Sequence, residues 1–204
     1  MHSRRPILMQ QDPSGLCETA PSKRVAIIGA GPIGIELALS ALQRGMTVAV
    51  FESGEAVGAQ VLLWKHVTLF SPWSMNTSDA GWRVLCQQPP PCDAFPTGAE
   101  FVERYLQPLS QYISTHARCS ALHLHARVLS VGRGSLLKGE SIGGGDLLLP
   151  QGKPQARHAR AHTPFRLLVS HGGSVERYHD GFDFVCDCSG CYRCPATPSL
   201  LLPG

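Results

Sequence analysis

The sequence is poor in charge and contains no long apolar run. Charged residues make up 16% of its 204 residues, and the net charge is +3. A nucleic-acid surface needs clustered Lys and Arg to neutralise phosphates, so this composition argues against a nucleic-acid partner. The most apolar region, from Val25 to Val50, is interrupted by glycines, by Glu36 and by Arg44. It falls short of the roughly 18 apolar residues of a membrane span, so we expect no membrane partner either.

The sequence also lacks the apolar segment of a secretory signal, which bears on its eight cysteines. Four of them lie close together near the carboxyl end: Cys186, Cys188, Cys191 and Cys194. Without a secretory signal, reduced thiols in a cytoplasmic protein are a better interpretation than disulfides. A transit peptide is the alternative for the amino terminus, but Asp12 and Glu18 interrupt the acid-poor character that such peptides need.

A strand–helix–strand pattern stands near the amino end. Residues 23–28 are mostly apolar and β-branched and run directly into a glycine, which is typical of a strand buried on both faces. A helix is predicted from Pro32 to Arg44, with Gly45 where a helix ends. Residues 46–51 repeat the strand pattern and stop at Glu52. Together they form a βαβ unit of about 30 residues.

The junction between the first strand and the helix carries a glycine motif, Gly29-Ala30-Gly31-Pro32-Ile33-Gly34. Gly29 makes the tight turn, Gly31 lets backbone amides reach a diphosphate, and Gly34 lets the helix approach the sheet. The positive end of the helix favours the diphosphate. Glu52 ends the second strand, where a carboxylate accepts hydrogen bonds from ribose hydroxyls and repels a 2′-phosphate. We therefore predict a dinucleotide site that prefers FAD or NAD to NADP.

The rest of the chain alternates between loops and regular elements. Residues 53–96 are rich in Gly and Pro and read as loop-like, and Thr97 with Glu100 matches a capping box at the start of a helix to about His116. Alternating apolar residues predict one strand over 121–131, and glycines at 172–173 predict a hairpin between 165–170 and 174–178. A further apolar strand is expected at 182–186, just before Asp187.

These residues resemble the flavoprotein pyridine-nucleotide oxidoreductases of the glutathione-reductase type, in the branch that is similar to flavin-containing monooxygenases. The resemblance rests on 25–34, on Phe51-Glu52 and on Asp187-Cys188-Ser189-Gly190, which is similar to the family's D-A-T-G segment. It implies an α/β fold: a Rossmann-like FAD-binding domain with a parallel sheet and an inserted antiparallel β-ribbon.

The resemblance also implies roles for single positions. Val128 contacts adenine through its backbone, while Asp187 and Gly190 lie on the flavin side of the site. The segment 61–77 runs under the isoalloxazine, with Trp73 stacking and Asn76 hydrogen-bonding as hypotheses beside an ordinary core-and-turn segment. No residue stands out as a catalytic acid or base.

The chain departs from the family at its carboxyl end. A complete member has a second glycine fingerprint for NAD(P)H, and this sequence contains none, nor the F-x-G-x-x-x-H signature of true flavin monooxygenases. We expect a leader at 1–22, an FAD-binding domain at 23–194 and a tail at 195–204, in a fragment or truncated member. The function expected is that of an FAD-dependent, monooxygenase-like oxidoreductase reduced by NAD(P)H and acting on a small organic substrate. A non-catalytic flavin- or nucleotide-binding module and an NAD-dependent dehydrogenase are the alternatives.

The carboxyl-terminal cysteines allow three interpretations. Four thiolates at this spacing could converge on a metal ion or cluster, and Cys188 with Cys191 could form a redox pair. Cys186 lies in a predicted strand and Cys188 points to the other side of the turn, so we expect no metal site. Small thiols that replace the Ala and Thr of the D-A-T-G segment are the simplest interpretation.

Overall fold

The structure, a computed structural model, describes residues 22–134 and 162–191. Residues 1–21 of the expected leader, the tail at 195–204 and Cys194 lie outside the described residues. Two sheets make up the described fold, a parallel one of four strands and an antiparallel one of three. The expected α/β class is therefore confirmed.

The first strand–helix–strand unit forms as the sequence predicts, with β1 at Arg24–Ile28, α1 at Pro32–Gln43 and β2 at Thr47–Phe51. The two strands pair in parallel, with Ile28 beside Phe51 at their carboxyl ends. The helix begins at Pro32 because the fixed φ of proline suits a first helical turn. It ends before Gly45, whose φ of 76° is left-handed and stops the helix at little steric cost.

Four parallel strands form the central sheet, in the order β3-β2-β1-β7. The two outer strands are β3 at Cys119–His123 and β7 at Phe184–Asp187. β7 pairs with β1 so that Asp187 lies beside Ile28. The carboxyl ends of β1, β2 and β7 therefore meet at one edge of the sheet, which is where open α/β sheets bind their ligands.

The Gly- and Pro-rich region after β2 holds three short helices, α2 at Ala59–Leu62, α3 at Trp73–Asn76 and α4 at Asp79–Leu85. The longest, α4, has seven residues, and Ser78 caps it by accepting a hydrogen bond from the Gly81 amide at 2.9 Å. None of the helices in 22–134 and 162–191 has the length and apolarity needed to cross a membrane.

The capping-box helix is confirmed and contains a π-helical turn. It comprises α5 at Gly98–Phe101, the π turn at Val102–Leu106 and α6 at Gln107–Thr115. The Thr97 hydroxyl accepts from the Glu100 amide, and the Glu100 carboxylate accepts from the Thr97 amide. Pro108 has no amide proton to donate to the preceding turn, which accounts for the local widening.

The prediction of one strand over 121–131 is wrong. The chain leaves the parallel sheet after His123 and re-enters regular structure as β4 at Ala126–Arg133, in the other sheet. His125 makes the break with a φ of 52°. Alternation of apolar residues is the same in both sheets, so the pattern does not reveal where the chain changes from one to the other.

The antiparallel sheet is the expected ribbon, in the order β4-β5-β6. β5 spans Phe165–His171 and β6 spans Val175–Phe182. The predicted glycine turn joins them, with φ of 62° at Gly172 and 82° at Gly173, values that suit a two-residue hairpin loop. The ribbon packs on the face of the parallel sheet that carries Ala26, Ala49 and Phe51.

Candidate functional site

An open cleft of about 810 Å³ lies at the carboxyl edge of the parallel sheet. A volume of this size is typical of sites for cofactors and drug-sized ligands. The start of α1 and the end of β2 form its floor, β4 forms one side, and the segments around Trp64 and Phe70 form the other. Of the predicted site residues, eight line it: Gly29, Gly31, Pro32, Ile33, Glu52, Val128, Asp187 and Gly190.

Two glycines of the motif are required by the protein's own packing. Gly29 has a φ of 99°, and a Cβ there would lie 2.7 Å from the backbone oxygen of Cys188. A Cβ on Gly34 would lie 2.0 Å from the backbone oxygen of Gly29. Both contacts are with backbone, which cannot move aside like a flexible side chain. These glycines hold α1, the turn and the 187–190 segment together.

Gly31 is different, because the fold does not require it to be glycine. It is the N-cap of α1, with a φ of −78° that any residue adopts, and a Cβ there would meet no described atom within 4 Å. Gly31 lines the cleft, and α1 has no side-chain cap within the described residues. The amides of the first helical turn therefore face a space that the absent side chain leaves open.

Ala30 and Gly34 support the site from behind. Ala30 is fully buried, and its amide donates to Oε2 of Glu52 at 2.7 Å. The Ala30 amide is thus engaged within the protein, while its carbonyl accepts from the Gly58 amide at 3.0 Å. The six positions of the motif divide into residues that line the cleft and residues that hold the lining in place.

Glu52 lies at the floor of the cleft with 8% of its surface exposed. Besides the Ala30 amide on Oε2, its Oε1 accepts from the Gly54 amide at 2.6 Å and from the Ser53 hydroxyl at 3.4 Å. A carboxylate offers about four lone-pair positions, so Glu52 keeps capacity to accept further hydrogen bonds. The backbone amides of Ala30 and Gly54 fix its orientation.

Asp187 and Gly190 lie beside the glycine turn. The Asp187 carboxylate accepts from the Ser189 amide at 3.0 Å and from the Ser189 hydroxyl at 2.6 Å. The hydrogen bond from the Ser189 hydroxyl, followed by the one from the Ser189 amide, lowers the pKa of Asp187 below its ordinary value. Burial opposes this effect. The carboxylate is therefore ionised at neutral pH and closes a tight turn that ends at Gly190, whose φ is 71°.

The 61–77 segment reaches the cleft, but not through the aromatic residue expected. Trp73 is 3% exposed and packs edge-on against Trp82 and Phe101 in the core, so the stacking hypothesis is wrong. Trp64 and Phe70 line the cleft instead. A tryptophan in a Gly- and Pro-rich segment carries no periodic signal that separates a core position from a wall position.

Asn76 lines the cleft, and its amide group is engaged locally. Its Nδ2 donates to the Ser71 and Pro72 carbonyls at 2.9 and 2.8 Å, and its Oδ1 accepts from the Ser71 hydroxyl at 3.0 Å. This side chain fixes the turn before α3. Hydrogen bonding to a ligand stays a prediction.

The described carboxyl-terminal cysteines are partly core residues. Cys186 and Cys188 are half-buried and pack against the main core, whereas Cys191 is exposed. Burial, with smaller contributions from Cys186 and Asp187, raises the pKa of the Cys188 thiol and so disfavours the reactive thiolate. Within 22–134 and 162–191, no group of three or more His, Cys, Asp or Glu side chains could hold a metal ion.

No protein-family model matches the chain, and no curated protein matches its sequence. Solved structures do resemble it. Bacillithiol disulfide reductase from Bacillus cereus is 17% identical with a TM-score of 0.57, over 90% of this chain and 44% of that one. S-allyl-L-cysteine S-oxygenase from Allium sativum is 17% identical with a TM-score of 0.55, over 83% and 36%. OTEMO in complex with FAD and NADP is 15% identical with a TM-score of 0.51, over 84% and 26%.

At these identities the similarity establishes the fold. The described chain has the Rossmann-like α/β architecture of these proteins, a parallel sheet with an inserted antiparallel ribbon. The chain spans less than half the length of each of the three solved structures.

Proposed function

We propose that the cleft binds FAD and that the chain is an FAD-dependent oxidoreductase or part of one. The observation that carries the proposal is Gly31, a glycine that neither the backbone conformation nor the packing requires. Its missing side chain leaves the first turn of α1 open to the cleft, where unpaired amides and the helix dipole suit a diphosphate. Because the fold does not require glycine at position 31, a ligand that occupies the space beside it best explains this residue.

The remaining contacts follow the geometry of the cleft. We assign Glu52, which lines the cleft, to the adenosine ribose, and the Val128 backbone on β4 to the adenine. We assign Asp187 and Gly190, which also line the cleft, to the flavin. When bound, FAD supplies the redox chemistry, and the protein's residues bind and orient it.

The Glu52 carboxylate also supports a preference among dinucleotides. It is buried and held by two amides, so it cannot turn away from a 2′-phosphate placed beside it. Like charges at such a distance in a partly desolvated site repel strongly. The first site therefore favours FAD or NAD over NADP, and a competitive titration with FAD and NAD separates an FAD-dependent enzyme from an NAD-dependent dehydrogenase.

The Gly31→Ala variant tests the proposal directly. The wild-type protein is expected to take up FAD with micromolar affinity or better, and Gly31→Ala is expected to weaken binding by at least about tenfold. Its thermal midpoint stays at the wild-type value, because the added Cβ meets no described atom. Gly132→Ala is the matched control, because Gly132 lies on β4 and its Cβ likewise meets nothing within 4 Å of the described chain. Equal FAD affinity in the two variants contradicts the proposal.

We further propose that NAD(P)H reduces the bound flavin and that a small organic substrate is oxidised, as in a monooxygenase. The similarity of the fold to an S-oxygenase and to OTEMO supports this. Rapid mixing of the FAD-loaded protein with NADPH and with NADH tests it. Loss of the oxidised-flavin absorbance is the expected result.

A non-catalytic flavin-binding module is the second candidate. It is favoured by the hydrogen bonds that already engage the carboxylates of the cleft. Glu52 and Asp187 both accept hydrogen bonds within the protein, and the described cleft lining contains no histidine. Proton transfer needs a group free to reach the substrate. Stable FAD binding without flavin reduction by either nicotinamide is the outcome that selects the module.

A further inference from the structure

A second glycine, Gly54, stands in direct contact with the carboxylate of Glu52. Its amide donates to Oε1 at 2.6 Å, and a Cβ built on it would lie 3.1 Å from the same oxygen and 2.4 Å from the Cβ of Ala59. Its φ lies outside the left-handed range, so the backbone conformation does not require glycine. The 2.4 Å approach to Ala59 excludes a side chain at this position, and the 3.1 Å approach to Oε1 leaves a Cβ little room beside the Glu52 carboxylate.

The Gly54 peptide connects three parts of the site. Through its amide it holds the end of β2, and its carbonyl accepts from the His125 amide at 2.9 Å, at the break between β3 and β4. The carbonyl of Glu52 accepts from the Ala126 amide at 2.7 Å. The loop that aims the carboxylate is therefore fixed to the start of β4, the strand that forms one side of the cleft.

The two carboxylate oxygens are held by two different parts of the chain. Oε2 accepts from Ala30 in the glycine turn, and Oε1 accepts from Gly54 in the loop after β2. Hydrogen bonds from amides to an ionised carboxylate are short and directional, so a pair of them fixes both position and rotation. The carboxylate of Glu52, which lines the cleft, is thereby held in one orientation.

From this geometry we propose that Gly54 is a positioning residue, which together with the Ala30 amide sets the Glu52 carboxylate for the adenosine ribose and against a 2′-phosphate. The proposal rests on the proposed function for its ligand. With a Cβ at position 54, Oε1 must shift by a few tenths of an ångström, which weakens its hydrogen bond from the Gly54 amide.

Gly54→Ala also crowds Ala59, so the test uses a second substitution. The double variant Gly54→Ala/Ala59→Gly removes the 2.4 Å contact and keeps the one with Glu52, and Ala59→Gly alone is its reference. We expect the double variant to unfold cooperatively like the reference and to bind FAD at least about tenfold more weakly than the reference does. We also expect it to discriminate less between AMP and adenosine 2′,5′-bisphosphate, which differ only in the 2′-phosphate.

A double-mutant cycle with Glu52→Gln separates positioning from a general structural effect. If Gly54 acts through the carboxylate, the loss caused by Gly54→Ala/Ala59→Gly becomes much smaller in the Glu52→Gln background. An equal loss in both backgrounds overturns the proposal, as does wild-type FAD affinity in the double variant.

The ligand-free protein supplies an independent readout. The Ala30 amide proton is held by the same carboxylate, so its NMR chemical shift is expected to move when position 54 is changed. An unchanged chemical shift of the Ala30 amide proton overturns the proposal that Gly54 positions Glu52. Failure of the wild-type protein to bind FAD counts against the proposed function, and the Ala30 shift still decides whether Gly54 positions Glu52.

Discussion

The parallel sheet and the antiparallel ribbon differ in how much of each is buried. On β1 and β2 the central residues are almost fully buried on both faces. Ile27 and Val50, for example, are each 0% exposed. On the ribbon, Leu167 and Val169 are 0% exposed, whereas Leu129 and Tyr178 are 45% and 63% exposed. Helices cover one face of the parallel sheet and the ribbon covers the other, while the outer face of the ribbon meets solvent.

The difference explains how the cleft is built. The parallel sheet supplies a rigid floor, because its strands are held between two layers and its turns are packed against backbone. The ribbon supplies a side wall that carries few buried contacts of its own and is anchored at the His125 break. Changes should therefore cost most at the floor, less in the supporting helices and least on the outer ribbon.

Gly34→Ala should have the largest effect. The new Cβ would lie 2.0 Å from the Gly29 oxygen, so α1 or the turn must move, at a cost of about 3 kcal/mol or more. Urea unfolding measures this loss. Gly31→Ala in the same turn is the control and should unfold like the wild-type protein. A stable Gly34→Ala variant would mean that the floor is not rigid.

Tyr105→Phe should have the next largest effect. Tyr105 is fully buried, and its hydroxyl donates to Glu36 of α1 and accepts from the Ser78 amide at 3.0 Å. Removing the hydroxyl leaves these groups without that partner and should cost about 1–3 kcal/mol. Tyr112→Phe, at a partly exposed ring on α6, is the control and should change stability little.

The same tyrosine should be recognisable in a spectroscopic titration. Burial, followed by the hydrogen bond to Glu36, raises the pKa of Tyr105 to about 12. Its phenolate absorbance should therefore appear late in an alkaline titration and be missing in Tyr105→Phe. Titration of all tyrosines together near their ordinary pKa would contradict this contact between α1 and the π turn.

A cluster of histidines joins the two sheets and should make stability depend on pH. His123 on β3 stacks on Phe51, and His179 on β6 lies 3.1 Å from His171 between their Nε2 atoms. Burial is the main reason that the pKa values of His123 and His179 are lowered. The neighbouring imidazoles lower both further, and at His179 Arg177 adds to the effect while Asp180 opposes it.

The lowered pKa values mean that the folded state favours neutral imidazoles. The unfolded chain takes up protons near the ordinary value of 6.5, so this stability is complete above that pH and is lost as the pH falls towards the folded pKa values. Urea unfolding at about pH 7.5 and about pH 5.5 should show the decrease. His179→Gln should make the decrease smaller, and an unchanged decrease would exclude the cluster as its source.

Asp180→Asn should have the smallest effect. It breaks an ion pair with Arg166 on the outer ribbon, between side chains that are 51% and 35% exposed. Exposed pairs of this kind contribute roughly 0–1 kcal/mol. Urea unfolding at low and at high salt checks this, because salt screens the pair and should remove the remaining difference. A large, salt-independent loss would show that the outer ribbon is more tightly coupled to the floor than its exposure indicates.

Much of the site was predictable because its signals are local. The strand that ends at Gly29, the proline that begins α1 and the acid that ends β2 are each recognised from a few neighbouring residues. The capping box at Thr97 and the glycine turn of the ribbon are local in the same sense. The structure contains each of these features.

Two predictions were wrong because contacts between residues far apart in the sequence determine the outcome. The chain changes sheets at His125, although an uninterrupted alternating pattern surrounds it. Trp73 is buried by Trp82 and Phe101, and Trp64 lines the cleft in its place. Neither outcome depends on the residues next to these positions, so no short pattern could have separated the alternatives.

The order of strand, glycine turn, helix, strand and acid was determined by the sequence alone, because each step depends on backbone preferences of adjacent residues. Only the tertiary structure decided that Gly29 and Gly34 serve the protein's packing, while a Cβ on Gly31 would meet no described atom and one on Gly54 would meet Ala59 and Glu52. The physical reason is that the space around a glycine is set by atoms brought there from elsewhere in the fold, such as the Cys188 carbonyl above Gly29.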